Sequence, residues 1–144
     1  MATRLCIGIK HGDVIRGIYA HWDGYPACNG MILYQHYSDS IKVNKLISMG
    51  DVSSLGEEIG EKHDFDQPTE KDICKFYSRD RGEDAPFRTF ATVDEFVERY
   101  DGMGAEYYYL YDNGTWFVKS YRGEFEPLRD VLIVDALTKE EAVV

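Results

Sequence analysis

A chain of 144 residues, 44% hydrophobic and 29% charged, is long enough for one core and too apolar for a disordered segment. Its 26 acidic against 16 basic residues give a formal net charge of -10, which repels a phosphate backbone and disfavours direct nucleic-acid binding, while suiting a basic protein partner or plain solubility. No run approaches the roughly 20 apolar residues that span a bilayer, and the first ten residues lack the pattern of an export signal, so a cytoplasmic protein without a membrane segment is expected.

Cys6, Cys28 and Cys74 are odd in number and lack CxxC spacing; reduced thiols are expected, not a disulfide framework or a zinc site. From Arg4 to Lys10, Leu5, Ile7 and Ile9 alternate with Arg4, Gly8 and Lys10, Cys6 interrupting the pattern, and Val14 to Trp22 is a second β-rich run. With turn residues His11, Gly12 and Asp13 between them, the two runs predict an N-terminal hairpin. Gly24 and Pro26 then break the strand.

Gly30 to Tyr37 fits a helical face, and Ser40 is placed to cap a helix from Ile41 to Met49, with Val43, Leu46 and Ile47 on one side and Gly50 as its stop. Ser54, three residues before Glu57, has capping-box spacing for a short helix within Ser53 to Gly60. Glu61 to Glu70, polar and containing Pro68, reads as an exposed connection. Ile73 to Tyr77 could start a strand or a short helix, the strand being favoured, while Ser78 to Pro86 reads as a charged loop and Phe87 to Phe90 as a brief strand.

Thr92 and Glu95 form a capping box before Phe96, Val97 and Tyr100, in a helix ending near Asp101 and Gly102. Tyr107 to Tyr111 and Thr115 to Tyr121, around Asp112, Asn113 and Gly114, carry the clearest hairpin signal in the chain. Leu128 to Val134 reads as a last strand, and the acidic tail 138–144 is expected to fray. Hairpins at both ends with helices between them predict one α+β domain over 1–144, its antiparallel sheet covered on one face by helices.

Three polar groups are candidate binding sites. His21, Trp22, Asp23 and Tyr25 gather an imidazole, a carboxylate and two aromatic rings in one connection; on a shared strand face His21 and Asp23 would form a hydrogen-bonded pair or two metal ligands. Anchoring of the loop by Trp22 and Tyr25 explains the same residues structurally. His63, Asp64 and Asp66 add an imidazole and two carboxylates that could join the first group around a metal, or form a solvated acidic loop. Arg79 and Arg81 beside Gly82 offer forked donors for a phosphate or carboxylate, unless flanking acids neutralise them.

The tyrosines of 107–111 alternate between sheet faces, so half should line the core and the rest form a sticky surface, through which the hairpin Tyr107–Tyr121 could make a homo-oligomer. No phosphate loop, GxSxG, HExxH or dinucleotide fingerprint is present, which disfavours enzymes with local signatures. No catalytic residue, metal or cofactor is assigned.

His21 to Pro26, the helix ending at Met49 and Gly50, Asp51 to Gly56, Glu61 to Asp66, Tyr77 to Glu83 and the hairpin over Tyr107 to Phe117 together resemble a group of small accessory proteins encoded by tailed bacteriophages. The resemblance covers most of the chain and carries no functional residue across. It implies a protein of the host cytoplasm that binds and inhibits a host protein, including a defence system such as CRISPR, or that sequesters a small signalling molecule. The residues leave two alternatives beside inhibition: a small-molecule or nucleotide binder or metal-dependent hydrolase at the three loops, and a structural or virion-associated domain.

Overall fold

The computed structural model describes residues 2–66 and 72–143, with side chains up to Leu137. Residues 67–70 of the Glu61–Glu70 connection lie outside the described residues. Strand β1 (Leu5–His11) pairs antiparallel with β2 (Val14–Ala20), from Leu5 opposite Ala20 to His11 opposite Val14. Gly12, at φ +57, supplies the left-handed first position of the two-residue turn.

The C-terminal hairpin joins β6 (Tyr107–Asp112) to β7 (Thr115–Ser120), and Asn113 and Gly114 both take positive φ, the geometry that suits the strand twist. β6 lies parallel to β1, Leu5 opposite Tyr107 and Lys10 opposite Asp112. β1 is therefore central, which explains Cys6: a strand with structure on both faces needs no strict alternation.

Outside β2 lie β3 (Val52–Ser54), parallel to it through Ala20 and Val52, and β5 (Arg88–Phe90), antiparallel to Ile15–Gly17. β4 (Lys75–Phe76) flanks β3, and β8 (Glu126–Pro127) flanks β7. The order is β4-β3-β2-β1-β6-β7-β8, with β5 beside β2. The α+β class holds, and the sheet is mostly antiparallel, with β1–β6 and β2–β3 as parallel pairs.

On one face, α1 (Met31–His36), α2 (Ser40–Ser48) and α5 (Leu128–Val143) supply Leu33, Val43, Leu46, Ile47, Leu128 and Leu132 to a core with Leu5, Ile7, Ile9, Ile18 and Tyr109. Helices were expected on one face alone, and α4 (Val93–Asp101) corrects this: Phe96 and Tyr100 pack on the other face with Cys6, Ile15, Tyr108 and Leu110. The reason lies in a cross-strand glycine pair. A Cβ on Gly8 or Gly17, opposite one another, would stand 2.8 or 2.7 Å from the Phe96 ring, so the bare backbone forms the seat for that ring.

The α4 cap forms as expected, with Glu95 N–H donating to Thr92 Oγ1 at 3.1 Å, while the Glu95 carboxylate receives the Ala91 N–H. The α2 cap falls one residue before Ser40, on Asp39, whose carboxylate accepts the Lys42 N–H at 2.9 Å. The helix expected within Ser53–Gly60 is absent, because distant partners claim its groups. Tyr37 Oη donates to Gly56 O, Gly56 N–H points at Cys74 Sγ, and Glu57 pairs with His36 at 3.4 Å.

The charged loop expected from Ser78 begins instead with the short helix α3 (Tyr77–Arg81), which closes on Gly82 at φ +75. Leu128–Val134 is helical, not a strand: Leu128 and Leu132, four residues apart, are the buried pair. The helical backbone continues to Val143 through most of the tail expected to fray. Cys6 and Cys74 are buried thiols and Cys28 is exposed.

Candidate functional site

Beyond β2 the chain leaves the sheet, so His21 and Asp23 do not share a strand face. Asp23 adopts φ +60, its backbone carbonyl accepts the Asn29 N–H, and its side chain is exposed. His21 Nδ1 instead lies 2.7 Å from Tyr19 Oη, and its ring meets Trp22 edge-on at 4.7 Å. Burial, then the positive charge of Arg4, holds the His21 imidazole below its ordinary pKa.

Buried polar groups fix the loop's backbone. Asn29 donates to Trp22 O at 2.7 Å, Gly24 N–H to Thr3 O at 2.9 Å, and Tyr109 Oη to Gly24 O at 2.6 Å. The two large rings expected to anchor the loop face outward: Trp22 is 44% exposed and Tyr25 50%.

The second and third groups converge. Asp80, buried, accepts the His63 N–H at 3.1 Å and the Phe76 N–H at 2.8 Å. Arg79 closes on the same carboxylate through Nε at 2.9 Å and Nη2 at 3.1 Å. Its other donors go to the carbonyls of Ile59, Gly60 and Cys74, so all five guanidinium N–H groups are engaged. Burial pushes the Asp80 carboxyl up, and the bonds from Arg79, Phe76 and His63 outweigh it, leaving the pKa below the ordinary range.

His63 Nδ1 lies 3.0 Å from Glu61 O and 3.7 Å from Asp80 Oδ1. A carbonyl only accepts, so Nδ1 donates to it, and the buried Nε2 has no hydrogen-bond partner among the described residues. Asp64 accepts the Asp66 N–H at 3.0 Å, an internal turn, and both side chains stay exposed. Arg81 pairs with Glu83 at 3.3 Å and covers the Phe65 ring at 5.0 Å.

No hydrogen bond, ion pair or ring contact among the described residues joins the His21–Pro26 loop to these two groups. Nor do any three His, Cys, Asp or Glu side chains among the described residues stand where they could hold a metal ion.

A polar centre that the sequence did not announce lies where β2, β3, β5 and α4 meet. Asp51 is buried, accepts the Tyr19 N–H at 2.8 Å, and has Arg88 Nη1 3.7 Å away. Burial raises the Asp51 pKa against the lowering by the Tyr19 amide and Arg88. Tyr100 Oη, fully buried, and Arg88 Nη1 have no hydrogen-bond partner among the described residues.

Among the described residues, surface hollows of about 520, 600 and 630 Å³ lie between the hairpin tips, beside β6 and β7, and at the start of α5. Of the nine candidate residues, Tyr25 alone lines one of them, the second. The chain matches no protein-family model, no curated protein and no solved structure. No helix among the described residues is long and apolar enough to cross a membrane.

Of the tyrosines expected to make a sticky face, Tyr108, Tyr109 and Tyr111 are buried, because β6 has core on both sides. Tyr107 is half-buried and Tyr121 exposed.

Proposed function

We propose that this chain is a binding protein, an accessory protein of a tailed bacteriophage that holds a host protein and blocks it. The phage and host parts rest on sequence resemblance; the binding part rests on the His21–Pro26 loop. Its backbone is fixed by buried hydrogen bonds from Asn29 and Tyr109, yet it holds Trp22 and Tyr25 in solvent. Large aromatic rings on a pre-ordered backbone lose little entropy on binding and dominate interface energetics.

The charge of the chain favours a basic partner. Asp23, Asp64 and Asp66 are exposed, and the chain carries -10 overall, which draws a cationic surface in and repels an anionic one. A small-molecule site at the same loops would need the donors of Arg79, and these are taken within the fold.

Capture from bacterial host lysate tests the reading. The wild type should retain a protein that Trp22→Ala/Tyr25→Ala and Glu61→Lys/Asp64→Lys/Asp66→Lys both lose without loss of thermal stability. Equal retention by all three, or none by the wild type, overturns it.

A further inference from the structure

The hollow beside β6 and β7 brings together residues from three distant parts of the chain: Tyr25, then Asp101, Glu106 and Tyr107, and then Tyr121 with Arg122. Tyr25 and Tyr121 are exposed rings, and the Tyr25 and Tyr107 ring centres are 6.0 Å apart, tilted by 59°. The face of a tyrosine ring is the negative end of its quadrupole, so several rings around one hollow attract a cation.

Two exposed carboxylate residues, Asp101 and Glu106, line the same hollow with Arg122, while the two cations at its edge are tied to backbone carbonyls, Lys119 to those of Ser120 and Tyr121 and Arg4 to that of Met103. The Arg122 guanidinium already shows how the rings are used: its Cζ stands 5.9 Å from the Tyr121 ring centre, and on the neighbouring strand Lys119 Nζ stands 5.0 Å above Tyr108. Burial, then Tyr25, Glu106 and Asp135 nearby, keeps the Tyr107 hydroxyl protonated above its ordinary range, as a site of negative potential requires.

We propose that this hollow is a cation-receiving groove, in which Tyr25, Tyr107 and Tyr121 stack against an arginine side chain of a basic polypeptide while Asp101 and Glu106 face its charge. A planar guanidinium suits it better than an ammonium, because it stacks on the rings and offers forked donors to the carboxylates at once. An anionic ligand would meet two carboxylates at close range. The inference deepens the reading of a binder of basic proteins and rests on it.

The test uses the full chain and two probes, acetylated tetra-arginine amide and its neutral isostere tetra-citrulline amide, titrated by NMR at low salt. Tetra-arginine should shift the amides of Tyr25, Glu106, Tyr107 and Tyr121, and tetra-citrulline should not. Tyr121→Ala and Tyr25→Ala, both at exposed positions, should each weaken the tetra-arginine affinity by roughly three- to fivefold, and Glu106→Gln should weaken it while leaving the amide spectrum folded.

Binding of both probes alike would overturn the groove. So would tetra-arginine shifts confined to Glu61, Asp64 and Asp66 and indifferent to the tyrosine variants; that result would leave a binder of basic proteins standing without this groove. No binding of tetra-arginine anywhere would defeat both.

Discussion

Arg79 and Asp80, neighbours in sequence, face one another in a two-pronged ion pair, with Nε 2.9 Å from Oδ1 and Nη2 3.1 Å from Oδ2. The Asp80 side chain is wholly buried and that of Arg79 is 12% exposed. The pair ties β4, α3, the Ile59–Gly60 turn and the His63 segment into one clasp. Arginine near a glycine turn is a ligand-binding signature in sequence; in this fold it is a fastening.

Removing either partner leaves a buried charge alone. Asp80→Ala and Arg79→Ala are each expected to destabilise the fold by about 3 to 5 kcal/mol, measured by urea unfolding. Arg79→Lys, which keeps the charge and loses the planar fork, should recover only part of this. A loss below about 0.5 kcal/mol, the level of an ordinary surface substitution, would mean that the clasp does not hold the fold.

The two buried carboxylates should give opposite pH dependences. Asp80 titrates below the ordinary range when folded, so its stabilisation is complete above about pH 4 and is lost as pH falls through the folded value. Asp51 titrates above that range, so its contribution is greatest below about pH 4 and declines as pH rises through the folded value. Urea unfolding between pH 3 and 8 should show the acid decline reduced in Asp80→Asn, and Asp51→Asn gaining on the wild type as pH rises from 4. Reversed slopes would contradict both assignments.

The sheet's second core hangs on the glycine pair. Gly8→Ala or Gly17→Ala places a methyl against the Phe96 ring and is expected to cost about 1 to 3 kcal/mol by overpacking. Combining Gly17→Ala with Phe96→Leu should cost less than the sum of the two single changes, since both act on one contact. Strict additivity in thermal or urea unfolding would show that the ring does not rest on these glycines.

The legible parts of the fold were those whose chemistry is local. Asn113 and Gly114 specify their turn by backbone preference alone, and Thr92 with Glu95 caps α4 without help from elsewhere. The spacing of Ser54 and Glu57 is equally good, but Tyr37 and Cys74, distant in sequence, take the groups a helix would need. Leu128–Val134 reads as a strand because apolar residues occupy most of its positions, and only the pairing of Leu128 with Leu132 against the core reveals the helix.

Sites were less legible for the same reason. The Asp51–Arg88 centre and the tyrosine-lined hollow are assembled by the pairing of β2 with β3 and β5 and by the parallel register of β1 and β6, and no short stretch of sequence contains either.

Hydrogen exchange on the complex with a captured partner most directly tests whether the chain acts through its exposed aromatic and acidic surface. Amides at 22–25, 61–66, 104–107 and 121–122 should exchange more slowly in the complex than in the free chain, with 77–83 unchanged. Protection confined to 77–83, with the aromatic surface as exposed as before, would contradict it.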